Sequence, residues 1–397
     1  MFYCKTFQVR SLIMILISIF CLFVTNWGIC ATVSPEIGKI LQKAIDESRE
    51  SAGIIGVTAS VILPGHGIWV GASGLAEKKS GKAMVPDNLI GIASITKTFT
   101  ATTVLQLVEE GVLSLDDTVD KWLPGVLPNG KNINIRQLLG HTSGIPEYTN
   151  IIFPKVLNEL NKFWKPEEII ALVRDLPLDF EPGTTGKYSN TGYIILGMII
   201  EKSTNSIFSD EVRQRFIAPL KLDKTFMGAY ENIPEGELAI GYSASIPDNI
   251  MEQKNPNLLS GLWAAGGMVS TAENIALWIR ALMTGSVLSQ ESLDEMLNLH
   301  QVDFYQYGLG IMAYPSNIGM RYGHTGGVPG ATSRMFYFPD KDVAISIISN
   351  QDMKNIDVIF NAIVDKVPEL LKIPIPTQTT SVKYKTGLVT TWGNLKG

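Results

Sequence analysis

A chain of 397 residues is long enough for one large domain or for two lobes that share a core. Its 45% hydrophobic and 18% charged residues are typical of a globular enzyme and exclude a disordered or fibrous chain. A formal net charge of −5 offers no basic surface for nucleic acid and leaves small-molecule or peptide substrates as the expected partners.

The first thirty residues differ from the rest. Lys5 and Arg10 make a positive start, Leu12 to Val24 is nearly all apolar, and Gly28 to Ala31 offers small residues for cleavage. This is the layout of a secretory signal over residues 1–30, cut near Cys30 or Ala31. The expectation is therefore an exported protein, periplasmic or secreted, that meets a membrane only if this segment is retained. Cleavage would remove Cys4, Cys21 and Cys30, which are all three cysteines. The mature chain would then have no disulfide, cysteine nucleophile or thiolate metal site.

Glu36 to Ser51 reads as an amphipathic helix. Val57, Ala59, Val61 and Leu63 alternate with Thr58 and Ser60 in the period of a half-buried strand. A turn at Pro64–Gly67 and renewed alternation from Ile68 to Ser73 complete a hairpin, with His66 exposed in its turn. A helix is expected from Ser94 to Glu110, stopped by Gly111. Helical segments separated by loops follow to about residue 260, at 136–139, 166–174, 191–202 and 208–216.

Thr271 reads as the N-cap of a helix reaching Thr284. Strand candidates follow at 307–313, 320–324, 332–338 and 343–349, then a helix over 355–367 that Pro368 ends or kinks. Short connections among the late strands favour antiparallel pairing. The fold class is thus α/β in mixed α+β form. Residues 31–95 and 265–372 build a sheet domain, 96–264 an inserted mainly helical domain, and 373–397 a C-terminal extension.

Three short motifs carry chemistry. In Ser94-Ile95-Thr96-Lys97 the serine and lysine share a helical face, so Lys97 can reach the hydroxyl. A serine needs such a base, and burial together with the helix dipole would lower the lysine pKa to a useful value. In Tyr188-Ser189-Asn190 the tyrosine can pass a proton onward, and Asn190 can orient Lys97 and a substrate amide. In His324-Thr325-Gly326-Gly327 the first two residues can donate to a substrate carboxylate or carbonyl. The glycines admit a substrate backbone, and the N–H of Gly327 can join that of Ser94 as an oxyanion hole.

Together and in this order, the motifs resemble those of class C β-lactamases and D-alanyl-D-alanine carboxypeptidases. His141-Thr142-Ser143-Gly144-Ile145, Glu181-Pro182-Gly183 and Trp263-Ala264-Ala265-Gly266-Gly267 also look like that family, so the resemblance runs from about residue 36 to 370. It implies a β-lactamase/transpeptidase-like fold and a penicillin-binding-type serine hydrolase. Ser94 would form the acyl-enzyme with Lys97 and Tyr188, and Asn190 and residues 324–327 would bind substrate. D-Ala-D-Ala peptides, D-amino-acid amides, esters and β-lactams are the candidate substrates, with cell-wall peptidoglycan as a partner and no cofactor.

His324 stands where β-lactamases of the family have lysine, which implies weak antibiotic hydrolysis. It would be partly charged near neutral pH. A catalytically silent peptidoglycan- or β-lactam-binding protein on the same fold is the alternative. An α/β-hydrolase would need a G-x-S-x-G elbow, which is absent. Four histidines without paired spacing give no reason to expect a metal site. His141 reads as a structural hydrogen-bonding residue, His300 as a helix-end or loop residue, and Trp263 as either a cleft wall or a core residue.

Overall fold

A computed structural model describes residues 32–159, 162–244, 246, 257–352 and 354–375. The expected signal over 1–30, and all but the first three residues of the extension over 373–397, lie outside the described residues.

Helix α1 (Pro35–Ala52) begins where the Ser34 hydroxyl accepts the Ile37 N–H and ends on Gly53, whose φ of 59° is a left-handed cap. The hairpin β1 (Gly56–Leu63) and β2 (Gly67–Glu77) follows as expected. After the two-residue strands β3 (Lys82–Ala83) and β4 (Ile90–Gly91) comes helix α2 (Thr96–Glu109). The middle of the chain is mainly helical. Its site-bearing elements are α3 (Ile135–Leu139), α4 (Asn190–Thr204) and α5 (Trp263–Gly266), with β5 (Thr225–Met227) among them.

Strand β6 (Met268–Ser270) leads into α6 (Ala272–Met283), capped by the Thr271 hydroxyl as read from the sequence. Six late strands follow: β7 (His300–Val302), β8 (Tyr305–Tyr307), β9 (Met312–Ser316), β10 (Gly319–Val328), β11 (Ala331–Phe338) and β12 (Val343–Ser349). Helix α7 (Asp357–Val364) comes next.

The main sheet has nine strands in the order β3-β2-β1-β12-β11-β10-β9-β8-β7, and a three-stranded sheet has the order β4-β6-β5. Every pairing between these strands is antiparallel, with Val57 opposite Ser349 where the first and last parts of the chain meet. The fold is the mixed α/β arrangement expected, with an antiparallel sheet flanked by helices.

Several local expectations change. Strand β1 is buried along its whole length, Thr58 and Ser60 included, because α6 covers the face opposite α1 and α7. Alternation shows which residues share a face, not whether the second face is covered. The expected strand over 307–313 is two strands, broken where Gly310 takes a φ of 83°. Pro368 does not end a long helix: α7 stops at Val364, and the proline lies in the first turn of a new short helix (Val367–Leu370). His66 is buried rather than exposed.

Candidate active site

Ser94 does not open the long helix. It sits in a 3₁₀ turn (Ala93–Ile95) just before α2, and Ala93 takes a φ of 50°. This left-handed conformation is costly for a residue with a Cβ and is found where surrounding structure enforces it. Strand β11 helps to hold the turn, since Ser333 Oγ donates to the Ile92 carbonyl at 2.9 Å. Ser94 itself is only half-buried, so its hydroxyl is open to a ligand.

Lys97 is fully buried one turn further on. Its Nζ lies 3.1 Å from Ser94 Oγ and 2.6 Å from both Asn190 Oδ1 and the Ala265 carbonyl. Desolvation lowers its pKa from 10.5 to about 7, with Glu147 pulling the other way. A neutral lysine has two N–H donors and one lone pair. The two oxygens that can only accept take the donors, so the lone pair faces the Ser94 hydroxyl.

Asn190 is held for this task. Its Nδ2 donates to Glu147 Oε1 at 3.1 Å, which turns Oδ1 toward Lys97, and its backbone N–H donates to Glu147 Oε2 at 2.5 Å. The Tyr188 ring lies under the Lys97 amine, 4.9 Å from Nζ to the ring centre. Its hydroxyl is buried and completes no hydrogen bond among the described residues. Burial raises its pKa well above 10, and Ser94 is near enough to oppose that rise. The tyrosine is therefore a phenol, not a phenolate.

The third motif lies inside β10 rather than at its end. Gly326 packs against the Ser94 turn: a Cβ there would fall 2.4 Å from the Ile92 carbonyl. Gly327 is exposed with open space before it. The Thr325 hydroxyl is turned to Met312 Sδ at 3.7 Å.

His324 is fully buried, and both of its ring nitrogens are engaged within the protein. Nδ1 donates to the Thr325 carbonyl at 2.5 Å, which leaves Nε2 to accept from the Tyr307 hydroxyl at 3.0 Å. Desolvation first, and the nearby Lys97 second, lower its pKa to about 3. The partial charge expected at neutral pH is thus corrected to a neutral ring. His324 cannot hold a carboxylate by charge.

The structure brings Ser94, Lys97, Tyr188 and Asn190 together, with residues 324–327 alongside. Sequence reasoning missed Glu147 and the Ala265 carbonyl. Ala265 lies in a stretch singled out by resemblance and Glu147 two residues beyond another, but no residue-type signal marked either one. His300 lies on β7 and donates to the Gly140 carbonyl at 2.7 Å, and Trp263 is a core residue. Among the described residues no cluster of metal-ligating side chains occurs.

A serine hydroxyl facing a buried lysine beside an antiparallel sheet strand defines a serine hydrolase site of the β-lactamase fold. The chain matches the Beta-lactamase family over residues 41–365 and belongs to that family. It is 29% identical over 294 residues to a penicillin-binding protein of Bacillus subtilis, covering 70% of this chain and 64% of that one. The chain thus spans less than two thirds of that curated relative.

Among solved structures it resembles D-amino acid amidase from Ochrobactrum anthropi, with 31% identity and a TM-score of 0.76 over 85% of this chain and 99% of the amidase. It also resembles a D-stereospecific amidohydrolase from Streptomyces, with 33% identity and a TM-score of 0.71 over 82% and 98% of the two chains.

Proposed function

We propose that the protein is an exported serine hydrolase that forms an acyl-enzyme through Ser94 and acts on peptides, amides and esters with a D-configured acyl residue. The observation that carries this reading is the fully buried Lys97 Nζ, 3.1 Å from Ser94 Oγ, with a pKa of about 7. Neutral Lys97 takes the proton as Ser94 attacks the carbonyl carbon. The backbone N–H groups of Ser94 and Gly327 stabilise the oxyanion, a contribution of about 3–4 kcal/mol per donor in comparable sites. Tyr188, a neutral phenol, passes the proton to the leaving group, which departs as an amine or alcohol. Water then hydrolyses the ester on Ser94.

The D-stereospecific relatives support the acyl preference, and the signal-like first thirty residues support export. Slow turnover of β-lactams is the expected consequence, because the neutral His324 offers no positive charge for their carboxylate.

The test is intact-protein mass spectrometry after benzylpenicillin and after p-nitrophenyl butyrate, with peptide mapping of the adduct. A mass increase located on Ser94 and absent in Ser94→Ala is expected. An adduct on Ser143 or Ser189 would overturn the assignment.

A further inference from the structure

We propose that His141 is a positioning residue for Tyr188, holding the backbone of residues 187–189 so that the tyrosine hydroxyl is aimed at Ser94. This inference rests on the serine-hydrolase reading above and adds a residue that neither of its chemical steps uses.

The segment around Tyr188 is not part of a helix or strand, since α4 begins only at Asn190. An extended loop of this kind has no ladder of its own to hold it. Yet four consecutive N–H groups are captured by side chains or carbonyls from elsewhere. Lys187 N–H donates to the His141 carbonyl at 3.0 Å, and Tyr188 N–H to Asp303 Oδ2 at 2.9 Å. Ser189 N–H donates to His141 Nδ1 at 3.2 Å, and Asn190 N–H to Glu147 Oε2. His141 therefore brackets Tyr188, bonding the residue on either side of it.

The ring of His141 also packs on the side chain it positions. Its centre is 4.2 Å from that of Tyr188, 4.6 Å from Tyr307 and 5.3 Å from Tyr193. The residue accepts a φ of 58°, a left-handed conformation that a residue with a Cβ keeps where the surroundings require it. It is almost completely buried, and its Nε2 has no hydrogen-bond partner among the described residues.

Because Nδ1 accepts, the proton sits on Nε2 and the ring is neutral. Burial keeps it so, with the nearby Lys97 as a second cause. A glutamine or phenylalanine here would fill the space without presenting an acceptor where Nδ1 stands. Asparagine would present Oδ1 near that point and tolerates a left-handed backbone.

The experiment compares two esters, p-nitrophenyl butyrate and phenyl butyrate. The second has the poorer leaving group and depends more on a delivered proton. If His141 acts through Tyr188, His141→Phe lowers kcat on phenyl butyrate at least tenfold and on p-nitrophenyl butyrate less. KM stays within about threefold, because the binding surfaces are untouched.

Tyr188→Phe shows the same leaving-group bias, and the double variant is no worse than Tyr188→Phe alone. His141→Asn restores most of the lost kcat. Equal loss on both esters, additive effects in the double variant, or full activity in His141→Phe would overturn the proposal. Should His141→Phe fail to fold, the Asn and Gln variants decide, since equal activity of those two overturns it. Ser94→Ala is assayed in parallel: residual turnover there refutes the serine reading itself, whatever the His141 variants show.

Discussion

Replacing Lys97 by methionine should abolish turnover with little net change in stability, and the stability difference should depend on pH in a calculable way. The wild-type lysine has a pKa of about 7 folded against 10.5 for the free side chain. At ~1.4 kcal/mol per unit, this shift of about 3.5 units amounts to ~5 kcal/mol, of which ~4 kcal/mol is felt at neutral pH. Methionine escapes that penalty but leaves Asn190 Oδ1 and the Ala265 carbonyl without their donor, at about 1–3 kcal/mol each. The net change at neutral pH should therefore lie within about 2 kcal/mol of zero, in either direction.

The sharper quantity is the pH dependence. Between the folded and unfolded pKa values the unfolded chain binds the extra proton, so wild-type stability rises with pH across that window. Methionine does not titrate. Its stability relative to wild type should therefore fall by ~2 kcal/mol from about pH 7 to about pH 9. Urea unfolding of both proteins at several pH values in this range measures the difference, with equal slopes confirming a common transition. A difference that stays flat with pH would refute the claim that Lys97 carries the desolvation cost of a tuned base.

Three further outcomes follow from the third motif. With His324 neutral, the ratio of kcat/KM for a carboxylate-bearing ester to that for a neutral ester should stay constant within about twofold from about pH 8 to 6.5. Both values should fall together below about pH 7 as Lys97 gains its proton. A ratio that rises severalfold on acidification and is lost in His324→Ala would show a charged histidine instead. Gly326→Ala should displace the Ser94 turn, because its Cβ would meet Ser333 Oγ at 2.2 Å and the Ile92 carbonyl at 2.4 Å. It should cost about 1–3 kcal/mol and most of the activity. Gly327→Ala meets nothing within 4 Å and should keep stability within ~0.5 kcal/mol, as urea unfolding of the pair will show.

Much of the site could be read from residue spacing, because spacing encodes contacts made within one turn or one strand. Ser94 and Lys97 share a face wherever that segment is helical, and the Thr271 cap and the early hairpin follow from local chemistry of the same kind. The order of the three motifs was enough to indicate the family and, through it, the fold. The pKa of Lys97 and the charge of His324 are different in kind. The two acceptors that fix the lysine lone pair come from residues 93 and 168 positions away along the chain. His324 is neutral because the sheet buries it against Tyr307, a neighbour 17 residues distant on another strand. Desolvation depends on how completely distant elements enclose a group, and enclosure leaves no period or motif in the sequence. The sequence by itself determined which groups could do the chemistry, and only the tertiary structure decided their protonation states.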